Sequence, residues 1–204
     1  MESENQRTED KIKQAATKIF QSKGYAATKT RDIAEEAGIN LALVNYYFRS
    51  KKKLFEEVML ESLQGLASAV ITIFKDESTT LDKKVTDFVH LYIDMLSENE
   101  NLATFLLNSV RENPEFFIKK THLLSELKSS SFIIQYQEAV KAKEIPPLNP
   151  THFILNLIGL TVFPFISKPM VQVTMGTSDQ AFQDMVEERK RLVPLWIKSM
   201  MTVK

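Results

Sequence analysis

Thr28-Lys-Thr-Arg-Asp-Ile-Ala-Glu-Glu-Ala-Gly-Ile-Asn-Leu-Ala-Leu-Val-Asn-Tyr-Tyr-Phe-Arg-Ser-Lys-Lys-Lys-Leu54 predicts two short helices joined by a tight turn. Thr28 or Thr30 suits the cap of the first helix and leaves Asp32 in its first turn, where the helix dipole favours a carboxylate. Ile33, Ala34 and Ala37 fall on one apolar face of a helix about two turns long. Gly38 supplies the left-handed residue that ends it, and Asn40 caps the next helix. That second helix runs from about Leu41 to Phe48, with Val44, Tyr47 and Phe48 able to turn inward. Helix, glycine turn, helix is the geometry that lays its second helix in a DNA major groove.

Working outward, Ile12, Ala15, Ala16, Ile19 and Phe20 predict a helix over Thr8 to Ser22, ended by Gly24. Ser50 is placed to cap a long fourth helix from about Lys51 to Phe74. Its first turn carries Lys51, Lys52 and Lys53, against the dipole preference, which a phosphate at that helix end would explain. Further helices are expected at Leu81–Ser97, Leu102–Arg111, Glu115–Lys143 (with a bend at Ser129-Ser130-Ser131), His152–Ser167 and Asp179–Met201. The eighth, apolar nearly all round, needs partners on two sides. The expected fold is all-α, about nine helices, without strands or repeats.

The 204 residues include five Gly and seven Pro and no linker rich in either. The lack of cysteine excludes disulfides, thiolate metal sites and thiol nucleophiles. The N-terminal residues carry no secretory pattern. The apolar run from Phe153 to Ile166 is broken by polar residues and proline and is shorter than the ~18 residues of a membrane span. A soluble, cytoplasmic protein without membrane contact is expected. Net charge is zero, yet residues 1–55 hold 11 Lys+Arg against 7 Asp+Glu, and residues 56–204 hold 15 against 19. A basic head on an acidic body suits DNA binding. No phosphate loop, nucleophile elbow or dinucleotide fingerprint is present, so no enzyme is expected and no cofactor. Asp87, His90 and Asp94 share a helix face, but without a second histidine or cysteine at suitable spacing they read as surface residues, and no metal is expected.

Gly24-Tyr25-x-x-Thr28, Asp32-Ile33-Ala34-x-x-Ala37-Gly38-Ile39 and Tyr47-Phe48-x-Ser50-Lys51-x-x-Leu54-Phe55 together resemble the DNA-binding domain of the tetracycline-repressor family, over roughly Lys11 to Phe55. The resemblance implies a helix-turn-helix DNA-binding domain at residues 1–50 and a helical effector-binding and dimerisation domain at 51–204. It implies a homodimer through the eighth and ninth helices, a palindromic operator in double-stranded DNA and repression relieved by a small effector. The same architecture under control of a protein partner, without a small ligand, is the alternative.

Backbone contacts are expected from Thr28, Thr30, Tyr47 and Lys51, the last because it matches the family's phosphate-contacting position, with Lys29 and Arg49 as weaker additions. Base edges would be read by Leu41, Ala42, Leu43, Asn45 and Tyr46, with Arg31 reaching a guanine. Asn45 suits adenine, and Ala42 or Leu43 a thymine methyl. Residues 40–42 and 45 depart from the family's usual types, so its operators do not transfer. Phe88, Tyr92, Phe105, Phe116, Phe117, Phe132, Tyr136, Phe153 and Phe163 make the body aromatic. An apolar or amphipathic effector touching Tyr92, Phe105 and Asn108 is the expectation.

Overall fold

A computed structural model describes residues 2–99, 101–112, 114–147 and 149–202, except for the side chains of 2–4, 109, 116–118, 124 and 202. Phe116 and Phe117 therefore lie outside the described side chains. Within these limits every regular element is a helix: α1 (Glu2–Ala27), α2 (Thr30–Ala37), α3 (Leu41–Phe48), α4 (Lys51–Lys75), α5 (Leu81–Glu98), α6 (Leu102–Glu112), α7 (Pro114–Thr121), α8 (Leu123–Lys128), α9 (Ser131–Lys141), α10 (Pro150–Met175) and α11 (Asp179–Thr202). The all-α expectation holds.

Two compact units make up the chain, residues 1–66 with 105–121, and residues 67–104 with 122–204. In the first, Ile12, Ala16 and Phe20 of α1 are buried with Ile33 and Ala37 of α2, Val44 and Phe48 of α3, and Leu54, Val58 and Leu63 of α4. The Phe55 ring sits edge-on to Phe20 at 5.0 Å and to Phe105 at 5.7 Å. In the second, Phe74 stacks on Phe132 at 4.2 Å and Phe88 on Tyr92 at 4.5 Å. Lys84 is fully buried there, its ammonium donating to the carbonyls of Asp76 (2.6 Å) and Thr79 (2.7 Å). Burial pushes the Lys84 ammonium below its ordinary range.

Among the described residues eleven helices appear where about nine are expected, because the segment 115–143 is not one helix. His122 adopts a left-handed φ of 52° between α7 and α8. Ser130 then takes extended backbone and caps α9, its hydroxyl oxygen accepting from the Ile133 amide. The serine triplet makes a break, not a bend, because each hydroxyl competes for backbone partners.

The eighth expected helix, α10, departs the other way. Asn149 caps it through the Thr151 amide at 2.9 Å, but it continues past Ser167 to Met175, through Pro164 and Pro169, and ends at Gly176 with φ 63°. A proline inside a helix leaves the carbonyl four residues earlier without its amide. For Pro164 that carbonyl is Leu160, and the Arg189 guanidinium of α11 donates to it at 2.7 Å. The same guanidinium lies 5.1 Å from the Trp196 ring centroid, and burial lowers its pKa. Lengthened in this way, α10 joins α4 in being long and apolar enough to cross a membrane by length and composition alone. Along α4, Leu54, Phe55, Val58, Met59, Leu63, Val70 and Phe74 are buried in protein, while Leu60, Leu66, Ile71 and Ile73 are half-buried. α10 carries the buried Lys168, paired with Asp179 at 2.9 Å.

Arg189→Met is expected to leave the Leu160 carbonyl without a donor and destabilise the chain by about 1–3 kcal/mol, the usual cost of an unmade buried hydrogen bond. Denaturant unfolding of the two proteins measures it.

Candidate nucleic-acid interface

The turn between α2 and α3 is built by backbone bonds that need a left-handed residue. Gly38 has φ 61° and ψ 41°; its amide donates to Glu35 O at 3.1 Å and that of Ile39 to Ala34 O at 3.0 Å. This pair of bonds is a Schellman closure, in which glycine avoids the strain of a Cβ. Two residues later the Asn40 side chain accepts the Ala42 amide at 2.9 Å and starts α3. At the entry to α4, the Ser50 hydroxyl accepts the Lys53 amide at 3.1 Å.

The start of α2 differs from expectation. Neither threonine caps it. Lys29 holds the cap position, and the Asp32 carboxylate accepts its amide at 3.2 Å. That bond, with the Lys23 ammonium 3.1 Å away, holds the Asp32 carboxyl below its ordinary value. Lys23 and Asp32, with Lys18 and Glu36 at 2.5 Å, tie α1 to α2.

Burial of Val44 and Phe48 turns the opposite side of α3 outward. Ala42, Leu43, Asn45 and Tyr46 are exposed, Tyr46 to 75%. Leu41 and Tyr47 are half-buried, and the Tyr47 hydroxyl donates to Asn5 Oδ1 at 3.0 Å. No sequence pattern announces this contact, because Asn5 lies outside any periodic segment. Arg31 is exposed near the start of α2, and Thr30 is half-buried.

Two expected phosphate contacts face inward. Thr28 is only 1% exposed, and its hydroxyl donates to the Gly24 carbonyl at 2.7 Å. Lys51 donates to the carbonyls of Tyr25 and Thr28, both at 2.9 Å, with its ammonium 4.3 Å from the Tyr25 ring centroid. The reason is the same for both: the backbone between α1 and α2 leaves carbonyls that these side chains satisfy. Lys52 and Lys53 lean toward Glu56 and Glu57, 3.9 and 4.0 Å away. Lys29, Arg31 and Arg49 are exposed cations with no carboxylate partner among the described residues.

The expected effector contacts do not fall in one unit. Tyr92 belongs to the second, where burial pushes its phenol far up in pKa. Phe105 is buried in the first, and Asn108 there is exposed. On the face of α5 considered for a metal, Asp87 pairs with Lys83 and Asp94 with Lys190.

Comparison with known proteins agrees with this geometry. Residues 12–58 match the model of bacterial regulatory proteins of the tetR family, a span that begins in α1 and ends in α4. Over this span the chain carries that family's domain. Over 94% of its length it is 29% identical to the "Probable HTH-type transcriptional regulator YttP" of Bacillus subtilis, covering 93% of that protein. Over 36% of its length it is 34% identical to the "HTH-type transcriptional repressor KstR2" of Mycolicibacterium smegmatis, covering 36% of it. Its fold is that of a tetR-family regulatory protein from Rhodococcus RHA1, with TM-score 0.70 and 20% identity over 97% of this chain and 98% of the other. The chain is therefore a DNA-binding transcriptional regulator and not an enzyme, from a family whose members act as dimers.

Asp32 gives this head a pH signature. Its folded pKa is depressed, so its contribution is complete above the ordinary value of 3.8 and is lost as pH falls through the lower folded value. Asp32→Ala is expected to melt below the wild type at neutral pH, with the gap narrowing as the pH is taken under 3.8. Thermal unfolding at several pH values checks it.

Proposed function

We propose that the chain is a dimeric repressor that occupies a palindromic operator through residues 1–50 and is released by a small apolar or amphipathic effector held in residues 51–204. The outward face of α3 carries this reading. Asn45 offers the amide that pairs bidentately with adenine, Leu43 and Ala42 offer apolar surface to thymine methyls, and Leu41 and Tyr46 flank them. Arg31 reaches toward a guanine, while Thr30, Tyr47, Lys29 and Arg49 contact phosphates. A chain that binds DNA as a repressor works in the cytoplasm.

The dimer forms through the last two helices, α10 and α11. Leu155, Phe163 and Met170 on α10, and Leu195 and Trp196 on α11, are large apolar side chains open to solvent, Phe163 to 58%. Large apolar side chains left in water mark a protein interface when they gather in one patch. Pairing α10 and α11 with their copies would cover it and present two copies of α3 to successive half-sites.

Effector binding is supported by the aromatic cluster of the second unit. Tyr92 stacks on Phe88, which lies 5.6 Å from Phe74. A phenol raised in pKa by burial stays a hydrogen-bond donor at neutral pH, so Tyr92 gives an apolar ligand one polar contact.

The full-length protein, incubated with a random-sequence duplex pool, is expected to select a two-fold symmetric site and to lose it steeply with salt. Selection of no sequence would sink the proposal. Phe163→Glu is expected to sediment as a folded monomer and to bind the selected duplex on the order of 100-fold more weakly, through loss of the second half-site. A dimeric Phe163→Glu protein would move the interface elsewhere.

A further inference from the structure

We infer that Lys51 is a positioning residue for DNA recognition, which fixes the backbone corner between α1 and α2 and so sets the pose of the helices that face the duplex. The inference rests on the DNA-facing role given above to α2 and α3. An ammonium group has three donors. Two of them reach the carbonyls of Tyr25 and Thr28, at 2.9 Å each. The Tyr25 ring occupies a further side, 4.3 Å from Nζ, an attractive placement for a cation over an aromatic face. The Tyr25 ring is itself packed 4.8 Å from Phe55. In this arrangement two of the three Lys51 donors are committed to the protein.

The corner needs such a group. Gly24, with φ 74° and ψ 166°, breaks the helical path of α1, and the carbonyls around such a break lose their helical amides. The Thr28 hydroxyl answers one of them, Gly24 O. Lys51 answers the two that flank the last residues before α2. From that corner the chain passes through Lys29 directly into Thr30 and Arg31, and through the closed turn at Gly38 into α3. A shift at the corner therefore tilts α2 and carries Asn45 and Tyr46 with it. The three lysines that oppose the dipole of α4 also find an explanation without DNA: one caps carbonyls of the preceding corner, and two lean on glutamates one turn on.

The test uses the full-length protein, a duplex that it selects from a random-sequence pool, and a scrambled duplex of equal length. Lys51→Met is expected to weaken binding of the selected duplex by about ten-fold, the loss of one well-made base contact. Binding of the scrambled duplex and the slope of log K against log salt should stay as in the wild type. Lys51→Arg, whose guanidinium can donate to both carbonyls, is expected to restore the ratio between the two duplexes. Tyr25→Leu removes the ring and keeps the charge; it should lower that ratio without altering the slope, and guards against a Lys51→Met chain that does not fold. A phosphate contact would instead weaken both duplexes alike and reduce the slope by about 1 for each Lys51 removed. That outcome, or unchanged ratios in both variants, overturns the inference. A wild-type protein that selects no duplex overturns it together with the DNA-facing role of α2 and α3.

Discussion

A chain made of helices has its hardest physical problem where helices stop or bend, because each such place leaves backbone carbonyls without amides. Here the answer comes three times from a basic side chain reaching across from another element or turn. Lys51 meets Tyr25 and Thr28, Lys84 meets Asp76 and Thr79, and Arg189 meets Leu160. A positive group at a carbonyl-rich helix end also works with the dipole. These bonds place the ends of α4. Its first residue holds the corner ahead of α2, and the turn after its last residue is gripped by Lys84 and by the Ser131 hydroxyl, which donates to Phe74 O at 2.9 Å.

The same constraint separates what was legible in the sequence from what was not. Gly38, Asn40 and Ser50 act on amides or carbonyls within a few residues of themselves, so their roles follow from spacing alone. The alternation of buried and open positions along α3 follows equally from periodicity, since Val44 and Phe48 fall one turn apart. Lys51 and Arg189 act over 23 and 29 residues, and no local pattern encodes such reach. Lys51 is also where charge misled. A cation at a helix N-terminus reads as a phosphate ligand until the carbonyls it satisfies are known. The expected helix at His152–Ser167 already runs through Pro164, but the donor that serves the carbonyl freed there lies on another helix and has no local signal. The break at His122 has only a weak signal in residue type: histidine is enriched among non-glycine residues at positive φ, but such residues are uncommon.

A surplus of basic residues over 1–55 overstates the field available to DNA, because Lys13, Lys18 and Lys23 are matched by Glu61, Glu36 and Asp32. Those pairs hold α1 against α4 and α2. The cations left open are few, and Lys29, Arg31 and Arg49 lie close to α2 and α3 in sequence. Exposed ion pairs contribute little stability, so their larger effect is to decide which cations remain free. A protein of zero net charge can thus bind a polyanion without a strong overall field, provided the unpaired cations are gathered on one surface.

The apolar residues of α10 are divided between the interior and the solvent. Phe153, Leu157 and Phe165 are buried in its own unit, while Leu155, Phe163 and Met170 are left in water. Covering a half-exposed side chain of this size is worth roughly 1 kcal/mol. Association costs an estimated 4–15 kcal/mol, so no one or two of these residues would hold a dimer. The proposed interface therefore needs the open faces of α10 and α11 together, Trp196 and Leu195 included. Arg189 links that surface to the interior, since it satisfies Leu160 within α10 while lying against the Trp196 ring. The proline in α10 and the residues proposed to meet the second chain thus share one side chain. The route of α10 past Pro164 and the proposed dimer face meet at the same guanidinium.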